Sequence, residues 1–162
     1  MNKVIIEPLT AEAFSPFGNV VEAAGEPDYT INQGLCVRYH DRAKMDFGTG
    51  GRCGLSLFLG EPLTLPIKLE MVECHPEGSQ AFIPIHQNPF LVIVAPSDAN
   101  GLPGAPRAFL TSPGQCVNYY AGTWHGVLMP LHTPGLFAVV DRIGNTPNLK
   151  EHWFDEPFTV EA

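Results

Sequence analysis

The sequence contains few charged residues. Asp, Glu, Lys and Arg make up 16% of its 162 residues, whereas an average soluble domain has about a quarter. Helical bundles and coiled coils need such residues along their exposed faces, so this shortage disfavours both. Nine Lys and Arg stand against 17 Asp and Glu, which gives a net charge of −8. A negative protein without a basic stripe repels phosphates, and we therefore expect no nucleic-acid partner.

Long hydrophobic runs are also missing. Apolar stretches such as Phe90–Pro96 are far shorter than the roughly 18 residues that a membrane span requires. The N-terminal apolar block ends at Glu7 and does not have the pattern of a signal peptide. No C-x-x-C pair is present, and we expect a protein of the reducing cytoplasm without a membrane partner. The four cysteines lie singly, at Cys36, Cys53, Cys74 and Cys116.

Turn-forming residues, in contrast, are plentiful. The chain has 16 glycines and 16 prolines, and 44% of its residues are hydrophobic. This apolar content is enough to bury a core, which argues against disorder. Frequent turn formers favour many short strands. We therefore predict a single all-β domain over residues 1–162, a sandwich or barrel with few short helices.

Short apolar runs separated by turn residues define the predicted strands. Thr10 is the predicted N-cap of a helical turn, and Gly25–Asn32 is a predicted polar loop. Asp98–Pro106 is predicted to be a mobile surface loop. Ile143–Ala162 is predicted to be an irregular tail with a short strand near Phe158–Val160. The other predicted strands are Val4–Glu7, Asn19–Glu22, Leu35–Tyr39, Leu55–Leu59, Leu65–Val72, Ala81–Ile85, Phe90–Ala95, Ala108–Thr111, Cys116–Tyr120, Val127–Leu131 and Leu136–Val140.

The segment Glu73–Ile85 carries the first candidate site. On a strand, Glu73 and His75 project from the same face, and the Pro-Glu-Gly turn after them can return Gln80 to the same end of a pocket. These side chains offer oxygen and nitrogen donors that suit a divalent metal or acid–base work on a polar substrate. Alternatively, Glu73 and His75 simply flank a polar turn at a strand end.

The segment Gly114–His125 carries the second candidate site. A turn at Gly122 comes shortly before Trp124 and His125, so the histidine can point into a barrel mouth with its second nitrogen held by a neighbour. Alternatively, Trp124 is a packed side chain with a half-exposed histidine beside it. Together, a Glu-x-His stretch with a nearby Gln and a later Gly-x5-Tyr-x-Gly-x-x-His stretch resemble the paired motifs of the cupin superfamily.

The cupin resemblance implies a double-stranded β-helix, or jelly-roll barrel, with its site inside the barrel. The positions of the usual metal ligands hold Glu73, His75, Gln80 and His125 in this sequence. A Glu stands where the first His is usual, and a Gln stands where a Glu is usual. The resemblance therefore implies a possible divalent metal on these four residues, while an acid–base route without metal remains open.

A closer resemblance, to the ureidoglycolate lyase family, extends over nearly the whole chain. That family cleaves (S)-ureidoglycolate into glyoxylate and urea, a late step in allantoin and purine degradation, and has been associated with nickel or another divalent ion. The reaction consumes no water and moves no electrons, so no nucleotide cofactor is expected. The matching segments are Phe14–Gly18, Ile31–Asp41, His75–Pro84, Asn118-Tyr119 with Trp124-His125, and Asp141-Arg142.

The implied reaction needs a base for the hydroxyl proton of the substrate and an acid for its leaving nitrogen. Glu73, His75 and His125 are the candidate catalytic residues. Arg38 is the candidate anchor for the substrate carboxylate, because a guanidinium can hold a carboxylate through two parallel hydrogen bonds. Alternatively, Arg38 forms a surface ion pair with Asp41.

Four further residues are candidates for binding the substrate. Asn32 and Gln80 have amide groups that can read the ureido end, and Ser79 either binds a substrate oxygen or satisfies its turn. Tyr119 completes the set, and Asp141-Arg142 is expected to be a structural ion pair. We expect a small-molecule substrate and a homodimer, because jelly-roll proteins often cover edge strands by pairing.

Other functions fit the same residues. One alternative is another cupin-type enzyme that acts on a small carboxylic acid, such as an amidohydrolase that releases ammonia, an isomerase or a metal oxygenase. A non-catalytic sensor of small acids is a further alternative. Urea as a product would distinguish a lyase from all of these.

Overall fold

In a computed structural model, which describes residues 2–162, the chain folds almost entirely into short strands. The two helices are α1 (Ala11–Phe14) and a 3-10 helix (Asn32–Gly34). The strands are β1 (Asn2–Pro8), β2 (Gly18–Val21), β3 (Tyr29–Ile31), β4 (Cys36–Arg38), β5 (Arg52–Leu59), β6 (Ile67–Cys74), β7 (Gln80–Pro84), β8 (Phe90–Ala95), β9 (Arg107–Leu110), β10 (Cys116–Tyr119), β11 (Trp124–His125), β12 (Met129–Pro130), β13 (Leu136–Ile143) and β14 (Lys150–Glu161).

The strands form two large sheets and one hairpin. Seven strands follow the order β11-β6-β14-β1-β9-β8-β12, and β11 also pairs with β8, which closes this sheet on itself. A second sheet has the order β2-β10-β7-β13-β5, and β3 pairs only with β4. The predicted all-β, cupin-like class is therefore confirmed. No helix within residues 2–162 is long and apolar enough to cross a membrane.

Strand β8 contributes side chains to both hydrophobic clusters. All six of its residues are buried, as expected for a strand that is covered on both faces. Side chains alternate along a strand, so Leu91 and Ile93 enter one cluster with Val4 and Val72. Val92 and its alternate neighbours enter the other cluster, together with aromatic residues of the five-stranded sheet. The second cluster therefore fills the space between the two large sheets.

Several predicted boundaries agree with the structure. Thr10 caps α1, since its hydroxyl accepts a hydrogen bond of 3.1 Å from the backbone N–H of Ala13. The predicted strand Phe90–Ala95 has the observed bounds of β8. The loop at Asp98–Pro106 is present, and the Asp98 carboxylate accepts backbone hydrogen bonds within it; its mobility stays a prediction.

The prediction of an irregular tail at Ile143–Ala162 was wrong. Strand β14 runs from Lys150 to Glu161, antiparallel to β6 and parallel to β1. Polar residues and Pro157 hide this strand in the sequence, and the register shifts between Trp153 and Phe158. Pairing with two neighbours outweighs the low strand propensity of the segment.

Two smaller predictions were also wrong. The predicted polar loop Gly25–Asn32 contains strand β3, which only its hairpin partner β4 supports. The predicted strand Val127–Leu131 is divided, because β11 ends at His125 and β12 comprises only Met129 and Pro130. In both places tertiary pairing, which the local sequence does not encode, sets the boundary.

Replacing Val160 by Ala should lower the free energy of unfolding by about 2 kcal/mol, because two buried methyl groups are lost and a cavity remains. Val160 is fully buried and lies opposite both Val4 and Ile67. Val127→Ala is the matched control, since that side chain is 46% exposed and the change should matter little. Guanidinium unfolding measures both variants, and equal losses would contradict the position of β14 in the core.

Candidate active site

Three side chains that could bind a metal converge between the two large sheets. One ligand atom from each of Glu73, His75 and His125 lies within 4.8 Å of the others. His125 of β11 lies directly opposite Glu73 of β6 in the antiparallel register, and residues that face each other in this way share one face of a sheet. The sequence prediction that the two motifs meet at one site is therefore reproduced by the geometry.

The turn at Gly122 brings His75 to the same place. Gly122 has a φ of +78°, which a glycine adopts without strain. Its backbone N–H donates a hydrogen bond of 2.8 Å to the carbonyl of His75. This bond ties the residue after β6 to the turn before β11, and the centres of the His75 and His125 rings are 5.2 Å apart.

Both imidazoles are held in the same tautomer. The Nδ1 atom of His75 is 2.8 Å from the carbonyl oxygen of Asn148, and the Nδ1 atom of His125 is 2.9 Å from that of Gly126. A carbonyl can only accept, so each Nδ1 carries a hydrogen, and in the neutral imidazole Nε2 then has the lone pair. Both Nε2 atoms are buried without a hydrogen-bond partner.

These donors fit a divalent metal ion. Two imidazole nitrogens and one carboxylate are a donor set that suits several divalent metals. Metal-binding histidines usually donate their other ring N–H to a carbonyl or carboxylate, as both histidines do here. The buried lone pairs are otherwise unsatisfied, which is costly in a low-dielectric interior. The Glu73, His75 and His125 triad is therefore compatible with a divalent metal, whose identity the donors leave open.

Burial sets the protonation of the triad. It is the main reason why the pKa of His125 falls from 6.5 to about 3; the hydrogen bond to Gly126 opposes this shift, and the nearby His75 adds to it. Burial also raises the pKa of Glu73, although His75 opposes that shift. The low dielectric of the site disfavours the charged form in both cases. His125 is therefore neutral at physiological pH, and Glu73 holds a proton more readily than an exposed carboxyl.

Tyr119 forms one wall of the site. Its ring stacks on the ring of His125 with 4.3 Å between the centres and 6° between the planes. Burial, followed by the charge of Glu73, raises the pKa of Tyr119, so the phenol keeps its proton. Tyr119 therefore packs an aromatic face and a protonated phenol beside the triad, and a contact of Tyr119 with substrate stays a prediction.

Gln80 lies on β7 directly opposite Tyr119 of β10. Its amide nitrogen donates a hydrogen bond of 3.1 Å to the Oδ2 atom of Asp141, while its Oε1 atom is buried without a partner. The predicted ion pair of Asp141 with Arg142 was wrong, because consecutive residues of a strand face opposite sides. Arg142 instead lies 3.6 Å from the carboxylate of Glu77.

Ser79 is buried, but its hydroxyl serves the adjacent loop. The hydroxyl donates to the carbonyl of Asp46 at 3.1 Å and accepts from the backbone N–H of Asp46 at 2.7 Å. These bonds fix the segment that precedes β5 beside the site. The structure therefore favours the turn-satisfying role that the sequence left open, and a contact of Ser79 with substrate stays a prediction.

The structure does not bring Arg38 and Asn32 to the triad. Both residues are exposed on the β3–β4 hairpin, and no hydrogen bond or ion pair of the described residues joins either one to the triad. Asn32 has a φ of 54°, a conformation that asparagine tolerates better than most residues, so the hairpin turn itself explains this asparagine. The alternative ion pair of Arg38 with Asp41 is not formed in residues 2–162.

Sequence reasoning missed two residues that shape the site. Asn148 orients His75 through its backbone carbonyl, which carries no side-chain signal in the sequence. Asp141 could have been found, because it follows Val139 at the strand period of two and Val139 is a core residue. The alternation places Asp141 on the inward face of β13.

The whole chain resembles proteins of one family. A model of the family described as ureidoglycolate lyase matches residues 1–161. A ureidoglycolate lyase of Rhodobacter capsulatus is 55% identical over 162 residues, which cover all of both chains. A ureidoglycolate lyase of Chelativorans sp. is 51% identical over 99% of this chain and 97% of its own, and ureidoglycolate lyase 2 of Rhizobium meliloti is 50% identical over 96% of each.

The buried His125 should make the metal-free protein sensitive to acid. The unfolded chain binds a proton at His125 near pH 6.5, whereas the folded chain binds it only near pH 3. The contribution of this residue to stability is therefore present above about pH 6.5 and is lost as the pH falls toward 3, by at most about 1.4 kcal/mol per pH unit.

Guanidinium unfolding of chelated protein between pH 7 and pH 4 measures this dependence. His125→Gln should flatten the acid limb of the curve, because glutamine binds no proton. His132→Gln is the matched control, since His132 is exposed. An unchanged acid limb in His125→Gln would show that the histidine is not held neutral by burial.

Proposed function

Because the chain belongs to the ureidoglycolate lyase family, we propose that it is an enzyme that cleaves (S)-ureidoglycolate into glyoxylate and urea. The observation that carries this proposal is the match over the whole chain, which includes the Glu73, His75 and His125 triad. In the reaction the bond between the carbinol carbon and the ureido nitrogen breaks. The hydroxyl becomes the carbonyl of glyoxylate, and its proton ends on the nitrogen of urea.

We further propose that Glu73, His75 and His125 hold a divalent ion, with nickel as the first candidate. Two Nε2 lone pairs and a carboxylate support this proposal, and imidazole ligands suit nickel among other metals. No Lys or Arg of residues 2–162 forms an ion pair with the triad, although the substrate is an anion. A bound ion would supply positive charge that lowers the pKa of the substrate hydroxyl.

The chain itself must carry the proton from oxygen to nitrogen. His125 is unsuited to be the acid, because its pKa of about 3 leaves it without a proton to give at neutral pH. Glu73 is better suited, since a carboxylate has two oxygens, so that one can bind the ion while the other accepts the proton. We assign to Glu73 the acceptance of the hydroxyl proton and its return to the ureido nitrogen.

We also propose that two copies of the chain associate through an exposed apolar surface. β5 is an edge strand of its sheet, and Leu55, Leu57 and Leu59 are 72%, 68% and 75% exposed on one face of it. The β3–β4 hairpin exposes Leu35 to 89%. Exposed edges and apolar patches of this kind are usually covered by a partner.

Association of two copies also suggests a role for Arg38 in substrate binding. The hairpin that carries Arg38 is exposed and does not serve the triad of its own chain. We propose that Arg38 binds the substrate carboxylate in the site of the other copy, as the bidentate geometry of a guanidinium allows.

The free, exposed thiols of Cys36 and Cys53 support a reducing compartment, and we propose a cytoplasmic enzyme of allantoin degradation.

The enzyme as purified should release glyoxylate and urea in equal amounts from ureidoglycolate. Removal of divalent ions by a chelator should abolish turnover, and nickel should restore it. Colorimetric assays for glyoxylate and urea, with metal analysis of the protein, measure these outcomes. Ammonia in place of urea would indicate an amidohydrolase, and full activity without bound metal would contradict the metal proposal.

Single variants assign the roles within that experiment. Glu73→Gln should lower kcat by about 10²–10⁴, the usual contribution of one acid–base group. Glu156→Gln is the matched control, because Glu156 is an exposed glutamate of β14 that is not paired with Glu73. His125→Ala should lose both bound metal and turnover, whereas His132→Ala should lose neither.

Mixed dimers test whether Arg38 acts across the interface. Arg38→Ala and His125→Ala should each be nearly inactive as pure proteins. Co-expressed chains that pair at random should recover about one quarter of wild-type activity, because one quarter of all sites then combine an intact triad with an intact Arg38. Activity no higher than the mean of the two variants would show that Arg38 serves its own chain or has no role.

Light scattering after size-exclusion chromatography measures the molar mass in solution and so tests whether this surface is the dimer interface. Leu57→Glu should convert the dimer into a monomer and abolish the recovery in mixed samples, since it places a charge in the apolar patch. Leu102→Glu is the matched control at another exposed leucine, 48% exposed in the loop after β8. A Leu57→Glu protein that remains dimeric would exclude this surface as the interface.

A further inference from the structure

Gln80 has a buried amide of which only one end is satisfied. Its Nε2 atom donates to the Oδ2 atom of Asp141 at 3.1 Å, and its Oε1 atom has no partner. The residue is 5% exposed, and Oε1 has no hydrogen-bond partner among the described residues. A buried acceptor without a donor is unfavourable. Such an atom is a candidate for contact with a ligand that donates.

Asp141 decides which end of the amide is free. An ionised carboxylate accepts hydrogen bonds and cannot donate them. The amide nitrogen of Gln80 must therefore face Asp141, and the oxygen must face the other way. With a neutral partner at position 141 the amide could adopt either orientation, since the two ends of a glutamine amide have nearly the same shape.

Gln80 lies next to a residue that borders the candidate site. Gln80 is directly opposite Tyr119, whose ring stacks on His125. Gln80 also alternates with Phe82, which packs in the cluster between the two sheets, so both side chains point inward. The acceptor therefore sits on the sheet that faces the Glu73, His75 and His125 triad.

We propose that Asp141 is a positioning residue that fixes the amide of Gln80, so that Oε1 accepts a hydrogen bond from an N–H of the ureido group. This inference rests on the proposed function and deepens it. The ureido group is rich in N–H donors, whereas the carboxylate at the other end of the substrate has none. The pair therefore distinguishes the two ends of the substrate and turns the ureido end toward β7.

Urea and glyoxylate are the two halves of the substrate and serve as separate probes. NMR titration of the metal-loaded protein with each compound measures its Kd independently of turnover. Asp141→Asn should weaken urea binding by up to about tenfold, because the amide of Gln80 is no longer forced into one orientation. Glyoxylate binding should stay within about twofold, and the KM for ureidoglycolate should rise more than kcat falls.

A charge-swapped pair separates positioning from a merely structural role. Gln80→Glu alone places two carboxylates against each other and should abolish measurable urea binding. Adding Asp141→Asn should restore it to within a few fold of wild type, since the new amide donates to one oxygen of the new carboxylate and leaves the other for urea. Asp155→Asn is the matched control for the loss of one negative charge at an exposed site.

The outcomes distinguish this inference from the proposed function. Additive losses in the double variant, or equal losses of urea and glyoxylate affinity, would overturn the positioning role. Loss of bound metal in the Gln80 variants would place Oε1 on the ion and overturn it as well. If wild-type protein binds urea through this pair but forms no urea from ureidoglycolate, the inference stands and the proposed reaction fails.

Discussion

The site depends on one constraint, the antiparallel register that sets His125 of β11 opposite Glu73 of β6. β11 has only two residues, yet it joins β6 to β8 and closes the seven-stranded sheet. A shift of one residue would turn His125 into the other hydrophobic cluster and Trp124 into the site. The strand that closes the sheet therefore also brings His125 to Glu73.

Much of the site follows from the sequence because its residues lie close to turns. Glu73 and His75 are two residues apart, and Gly122 marks the turn before His125, so strand alternation and turn chemistry are enough to bring them together. The tautomers do not follow, because they depend on backbone carbonyls at Asn148 and Gly126. Local sequence patterns predict which side chains come together. The backbone carbonyls that contact Nδ1 determine which ring nitrogen of each histidine faces the site.

The errors in the fold have the same origin. β14 contains charged residues and a proline, and its pairing with both β1 and β6 overrides these local signals. The chemistry of Arg38 suits a carboxylate, but its strand pairs only within a hairpin, so its role in substrate binding stays a prediction. Nothing in a single sequence states whether such a hairpin serves its own barrel or a second one.

Three atoms of the site are buried acceptors that no charged or polar group of the described residues satisfies. Nε2 of His75, Nε2 of His125 and Oε1 of Gln80 are buried acceptors without partners, and each lowers the stability of the free protein. A fold can tolerate such a cluster only if apolar burial elsewhere outweighs it, and here β8 is buried on both faces. These three acceptors can all be satisfied at once by a cation on the imidazoles and a donor-rich group on the amide. The same acceptors that lower the stability of the protein alone therefore favour the binding of a molecule with a ureido end and a negatively charged end.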